Sequence, residues 1–377
     1  MRYRLASILL FLSAFTGCTA EDPVEAVFDP AKLHKVELTI ASTYLDTLAN
    51  DLDERVPCDI VYDGELVAGS GIRQKGNTLV DLDDKPSFSV KFDAFDDQAK
   101  LYGLNKLILN SSKQDPSFLR SRLGSDVHLR AGLPAARVAH AQVTLNGVDK
   151  GIYVVVEAVD KDFLRSHFGE EFAEGNLYEG PCCGDFVDDI EHMELEDEKK
   201  DGRSRDDLRA LAQIIQDTPD TAFAAALEEH LDLGLFMKIY ALEALLGHWD
   251  GFAFRGNNHY IYNNPATGRF VFMPHGMDRI LDDPAFDPET TPVTKLPLRI
   301  RAITALDMEF QTQRTELARN AWNETSMQAV INQAAAVLHT AAAGEQTSKD
   351  LAAFDESVTE LRNIVTVRSD KIAAPTN

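Results

Sequence analysis

The chain has 377 residues, 44% of them hydrophobic, enough to bury a large core as one big or two modest domains. Acids number 61 against 37 bases, a formal charge of −24. Such a field repels DNA, RNA and anionic membrane surfaces, which sets nucleic-acid binding aside. It also repels nucleotides, so a nucleotide site here needs local positive charge or metal.

The N-terminus comes first. Arg2 and Arg4 precede an apolar run from Leu5 to Phe15, with small residues before Cys18. Residues 1–18 therefore read as an export signal, too short in its apolar part for a good membrane span. The Thr-Gly-Cys ending resembles a bacterial lipobox, which would make Cys18 a lipidated first residue of the mature chain. The protein is then expected at the periplasm or cell surface, touching membrane only through a lipid anchor at Cys18. Phe15, where leucine is usual, leaves ordinary secretion as the alternative. Residues 19–32 are polar and acidic, a tether, and no later segment reads as a membrane span.

From 33 to 157 the signals are mostly β. "CDIVYDGELVAGSGIRQKGN" makes two runs around Asp63-Gly64, "PSFSVKFDAF" alternates, and "VAHAQVTLNGVDKGIYVVVEAVD" is a hairpin turning at Asn146-Gly147. One helix interrupts them, capped by Asp115, with Pro116 in its first turn and Gly132 as its stop. From 158 to 377 three-to-four-residue apolar spacing predicts helices, as in "LDLGLFMKIYALEALLGHW". "HYIY" and "RFVFM", joined by "NNPATG", read as an embedded hairpin. The charged stretch from Asp185 to Asp207 reads as a solvated insertion. A β-rich half followed by a helical half with an embedded hairpin makes a two-lobed α+β protein.

Setting Cys18 aside leaves Cys58, Cys182 and Cys183. In an exported protein three cysteines predict one structural disulfide and one leftover thiol, with the partner of Cys58 left open. The vicinal pair could instead bind metal, but no second pair or His cluster stands near it in sequence.

The richest stretch is His248–Asp278. A long apolar helix ends near Trp249; Asp250, the pair Asn257 and Asn258, a hairpin and Asp278 follow. Phosphoryl transfer needs cations across phosphates, oxygen ligands for Mg²⁺ or Mn²⁺, and an acid beside the attacking hydroxyl. Protein kinases supply their acids in this order. The segments "GIRQKGN", "SFSVKF", "LRSRL", "GIYVVVEAVDKDFL", "NNHYIY" and "PHGMD" occur in the order seen in the CotH family of spore-coat-like kinases, which the chain resembles over residues 35 to 370.

That resemblance implies an atypical protein-kinase-like fold, with a β-rich N-lobe and a mainly helical C-lobe carrying the catalytic loop and metal-binding Asp. It implies use of ATP with Mg²⁺ or Mn²⁺, and transfer to Ser/Thr of secreted or surface proteins. Asp250 then looks like the catalytic acid, Asp278 like the metal-binding one, and Asn257 or Asn258 like a second metal ligand. Lys91 resembles the strand lysine that reaches the phosphates. Arg73 and Lys75 fall on a phosphate-covering loop, although "GxGxxG" is absent, and Glu157 matches the hinge that meets adenine through its backbone. The pattern departs from the family at Gly276, where many members carry a second acid in a "WDxD"-like motif. No glutamate on the Asp115–Gly132 helix can pair with Lys91; Asp126 is its only interior acid. His248 and His275 flank the acids without zinc-site spacing, so packing or hydrogen bonding is expected of them. The competing function is a non-catalytic, kinase-like surface binding module. A hydrolase is disfavoured, since neither a nucleophile elbow nor "HExxH" occurs.

Overall fold

The computed structural model describes residues 23–196 and 203–373. The expected signal over 1–18, Cys18 and residues 19–22 of the expected tether lie outside them.

The alternating segments fold into a closed barrel. Its strands are β1 (Leu33–Thr39), β2 (Val56–Tyr62), β3 (Glu65–Gln74), β4 (Phe88–Lys91), β5 (Lys106–Asn110), β6 (Val138–Leu145) and β7 (Val148–Glu157). They run in the order β1-β2-β3-β4-β5-β7-β6, and parallel pairing of β1 with β6 closes the ring. Closure gives every barrel strand a neighbour on both sides. The two-residue period sends Val36, Ile60, Phe88, Val90, Leu109 and Tyr153 into one interior cluster. Both hairpin turns place their two central residues in the left-handed region, with φ 52° and 92° at Asp63-Gly64 and 50° and 78° at Asn146-Gly147.

Two expectations are corrected, and the cysteine pairing left open is decided. From Pro23 the stretch read as a tether is packed: Pro23–Phe28 forms a 3-10 turn, Val27 and Phe28 are buried, and the Tyr62 hydroxyl donates to the Val27 carbonyl at 2.7 Å. The disulfide joins Cys182 to Cys183, leaving Cys58 free inside the barrel, where burial pushes its thiol up to about 12. The Asp185–Asp207 stretch, read as solvated, buries Phe186, Val187, Met193 and Leu195. It also supplies β9 (Glu194–Leu195), which pairs with β8 (Leu177–Glu179). The embedded hairpin, β10 (His259–Asn264) and β11 (Arg269–Pro274), thus belongs to a four-stranded sheet ordered β11-β10-β8-β9.

The helix expected from Asp115 begins at Arg120 and runs to Arg130, because Phe118 takes a left-handed φ of 58°. Asp115 still caps it from outside. Its carboxylate accepts from the Ser117 and Arg120 N–H groups and pairs with the Arg120 guanidinium at 2.6 Å. Asp126 pairs with Arg130 along the same helix and Lys91 with Asp93, so Lys91 and this helix are not joined.

A second, larger core lies among the helices and takes in Val138, Ile152 and Val154 from the outer faces of β6 and β7. The Glu345–Ala373 helix ties the two parts together. Near its start Asp350 accepts from Lys85 Nζ and the Ile152 N–H, both at 2.7 Å. Gly151 permits this approach, since a Cβ there would lie 2.2 Å from Asp350 Oδ2. Near its end the wholly buried Arg368 donates to the carbonyls of Ala244, Leu245 and Phe286. At ~1.5 Å per residue the two anchors stand about 27 Å apart. Among the described residues no helix is long and apolar enough to cross a membrane.

Arg368→Met would remove the guanidinium donor from three carbonyls, of which Ala244 keeps only the Gly247 N–H at 3.4 Å. The expected cost is about 2–4 kcal/mol, read as a lower midpoint in urea unfolding. A shift near zero would show that the carbonyls find other donors.

Candidate active site

The Leu233–Leu246 helix is buried nearly all round, which fits a core element rather than a surface one. It stops at Gly247 (φ 62°), three residues before Asp250. Glu243, 2% exposed in its last turn, accepts from the Phe252 and Ala253 N–H groups at 3.0 and 2.8 Å. Those are the orphan donors at the start of the short Phe252–Arg255 helix. One carboxyl therefore closes the loop that carries Asp250. Burial pushes Glu243 up to about 8, against the two N–H groups that pull it down.

Asp250 is held by both asparagines. Asn257 Nδ2 donates to its Oδ1 and Asn258 Nδ2 to its Oδ2, each at 3.2 Å, and Asn258 Nδ2 reaches its carbonyl at 2.9 Å. Arg255 Nε lies 3.3 Å from Oδ1. Asn258 sits at φ 50°, a conformation asparagine tolerates well. The β10–β11 hairpin then returns the chain, with the His275 N–H donating to the Asn258 carbonyl at 3.1 Å. Gly276 (φ 53°) follows, and a Cβ there would lie 2.1 Å from Asn258 Oδ1. The missing second carboxylate thus has a local cause: the Asn258 amide fills the space that a side chain at 276 would enter.

Asp278 lies on the 3-10 turn Met277–Arg279. Burial pushes its carboxyl up to about 6, and the charges of Asp115 and Asp250 push in the same direction. Three carboxylates therefore bear on one spot, of which Asp115 is committed to Arg120. Two aspartates with asparagine amide oxygens form a hard-oxygen donor set, which suits Mg²⁺ or Mn²⁺. Among the described residues no three His, Cys, Asp or Glu side chains are grouped to hold a metal. His248 is 1% exposed with Nε2 unpartnered, and burial drives it down to about 3. His275 Nε2 lies 3.7 Å from Glu179 Oε1.

These groups open onto a cleft of about 620 Å³, the size of a small-molecule site. Arg73, Lys75, Glu157, Asp250, Asn257, Asn258 and Asp278 all line it. Lys91 does not. It is drawn to Asp93 at 3.7 Å, while its register partner Lys106 faces the cleft instead. The alternation of "KLILN" puts Lys106, Ile108 and Asn110 on one face, a signal that could have found it. Arg73 is largely committed to the Leu52 carbonyl. Lys75 and Lys106 reach across the cleft to Glu179 at 3.9 Å and Glu196 at 3.5 Å, acids that sequence reasoning missed. The Glu157 N–H and carboxylate are both taken by Arg137, so Ala158 and Val159 are the cleft residues with freer backbone at the expected hinge.

Comparison with known proteins gives the arrangement a class, that of kinase-like proteins. Residues 72–372 match the model of the CotH kinase protein family, and the chain belongs to that family. It is 26% identical over 186 residues to inner spore coat protein H of Bacillus subtilis, covering 47% of this chain and 50% of that one. Two Rhizopus delemar proteins are similar. Invasin CotH2 is 22% identical over 46% of this chain and 32% of its own length, and invasin CotH3 24% identical over 45% and 30%. The chain thus spans half or less of these curated relatives. A likeness to the Helicobacter pylori proinflammatory kinase CtkA covers 79% of this chain and 96% of that one, at TM-score 0.31 and 8% identity, too weak to define the fold.

The position of Asp278 gives a pH signature. Its folded carboxyl titrates near 6 instead of 3.8. Its contribution therefore favours the fold below about pH 4 and is lost as pH rises through 6. Without divalent cation, Asp278→Asn is expected to be more stable than wild type at pH 7.5 by about 1–2 kcal/mol and equal to it at pH 4. A lower melting temperature for the variant at pH 7.5 would mean that the carboxylate holds the fold rather than burdening it. Gly276→Ala is expected to lower stability by about 1–3 kcal/mol, because its Cβ meets Asn258 and its φ is left-handed; an unchanged melting curve would refute that packing.

Proposed function

We propose that this chain is an exported phosphotransferase that moves the γ-phosphoryl group of ATP to Ser/Thr hydroxyls of protein substrates. One observation carries the reading: the fold gathers Asp250, Asn257, Asn258 and Asp278 on one side of a cleft whose other side presents Lys75 and Lys106. Membership of the CotH kinase family supports it. Export rests on the charged, apolar and small-residue pattern of residues 1–18, and the Cys182–Cys183 bond suits an oxidising compartment.

In this reading Lys75 and Lys106 leave Glu179 and Glu196 to meet phosphate oxygens, trading long ion pairs for charge-assisted hydrogen bonds. Asp278 with Asn258 or Asn257 would hold Mg²⁺ or Mn²⁺, which neutralises charge spread over the phosphates. Asp250, steadied by the two asparagine amides, orients the acceptor hydroxyl and takes its proton as the oxygen bonds to phosphorus and ADP departs. Residues at 158–159 offer backbone to the base.

The test incubates the protein with γ-labelled ATP, Mn²⁺ or Mg²⁺ and a generic Ser/Thr protein acceptor. Label transfer is expected from wild type and not from Asp250→Asn or Asp278→Asn. Lys106→Ala is expected to weaken nucleotide binding at least about tenfold and Lys91→Ala hardly at all. Absence of label together with absence of an ATP-induced melting shift would favour the non-catalytic binding module.

A further inference from the structure

The exposed Cys182–Cys183 disulfide stands at the mouth of the cleft, outside every role assigned so far. Its sulfur touches the loop of Asp250 through one side chain. Arg255 Nε donates to Cys183 Sγ at 3.3 Å and lies at the same distance from Asp250 Oδ1. The Arg255 guanidinium also stands over the Trp249 ring, 5.5 Å from its centroid. Glycines fix the cysteine loop on the candidate catalytic segment at both ends. A Cβ on Gly180 would lie 2.1 Å from the His259 ring, and one on Gly256 would lie 2.3 Å from the Gly184 carbonyl. Between these clamps Cys183 holds a φ of 71°, a left-handed conformation that a residue with a Cβ rarely adopts.

We propose that Cys182–Cys183 is a thiol–disulfide exchange site whose redox state sets the position of Arg255 and, through it, of Asp250. The co-reactant is a dithiol. One of its thiolates attacks a sulfur of the pair and breaks the Cys182–Cys183 bond. Its second thiol then resolves the mixed disulfide. Two electrons and two protons pass to the protein, leaving two cysteine thiols and an oxidised dithiol. Exposure makes the bond accessible to this attack, unlike the thiol of Cys58 inside the barrel. Once open, the loop is free to leave the left-handed conformation at Cys183, and Arg255 loses the acceptor that holds it beside Asp250. The oxidised form is the one with Arg255 held against Asp250, whose other partners, the Asn257 and Asn258 amides, do not depend on the disulfide. Arg255 is here a positioning residue, and the effect on phosphoryl transfer rests on the proposed function; the effect on Arg255 does not.

The experiment compares oxidised protein with protein treated with dithiothreitol. Alkylation and peptide mass mapping of residues 180–184 verify the two states. Tryptophan emission reports the surroundings of Trp249, over which Arg255 stands at 5.5 Å and Arg279 at 4.6 Å, without any need for activity, because the chain has two tryptophans and Trp322→Phe leaves Trp249 alone. Expected are a change in Trp249 emission on reduction and a loss of transfer of at least about threefold, since small displacements of catalytic groups cost rate steeply. Cys182→Ala/Cys183→Ala should match the reduced protein and ignore dithiothreitol, while Cys58→Ala should keep the response. Free alkylation of both thiols before reduction overturns the proposal. So does emission that reduction leaves unchanged, or transfer that is equal in the two states. If neither state transfers label, the kinase reading fails, and emission alone then decides the redox coupling.

Discussion

The end of a buried helix leaves carbonyl groups that cannot be abandoned in an apolar interior. Here the Leu233–Leu246 helix ends inside the protein, and the guanidinium of Arg368 meets the carbonyls of Ala244 and Leu245. Burial draws that guanidinium down to about 10, a measure of how little water reaches it. The same 29-residue helix hooks the barrel through Asp350, near its other end. One rigid rod therefore joins the barrel that carries Lys75 and Lys106 to the loop that carries Asp250. Glu243 completes the arrangement by closing the loop from within.

Electrostatics explains how such a strongly acidic chain can still gather cations in one cleft. The global charge of −24 cannot be changed locally, but its effect can be offset by cations at close range. Lys75 and Lys106 provide them, and Glu179 and Glu196 keep both lysines in the cleft across gaps of 3.9 and 3.5 Å. On the opposite side Asp278 sits where burial, Asp115 and Asp250 all disfavour its charge. A carboxyl so placed adds nothing to the fold at neutral pH, and a cation is its natural counterpart. The trade between Gly276 and Asn258 belongs to the same economy of space. An amide that steadies Asp250 occupies the position where a second acid would project.

Much of this was legible in the residues. Alternation and the turn pairs Asp63-Gly64 and Asn146-Gly147 marked the barrel hairpins, because left-handed turns admit few residue types. The order Asp250, Asn257-Asn258, hairpin, Asp278 marked residues that line one cleft, because the hairpin's register brings its two ends together. Lys91 was misplaced for a different reason. Lys91 and Lys106 are directly paired on adjacent strands, and only the surroundings, Asp93 for one and Glu196 for the other, decide which reaches the cleft. The acidic stretch from Asp185 to Asp207 likewise hid four buried side chains, since its charges outnumber the apolar residues that anchor it.

The sequence by itself determined the local matters: which segments extend or coil, where the chain turns, and which acids and amides stand near one another along it. These follow from period, propensity and short loops, which act over a few residues. The tertiary structure alone decided that the strands close into a ring through β1 and β6, and that Cys58 is sealed away while Cys182 bonds its neighbour. It alone decided that Arg368 supports Asp250 from more than a hundred residues away. Such contacts depend on packing between distant segments, and no spacing along the chain encodes the partner that a buried group will find.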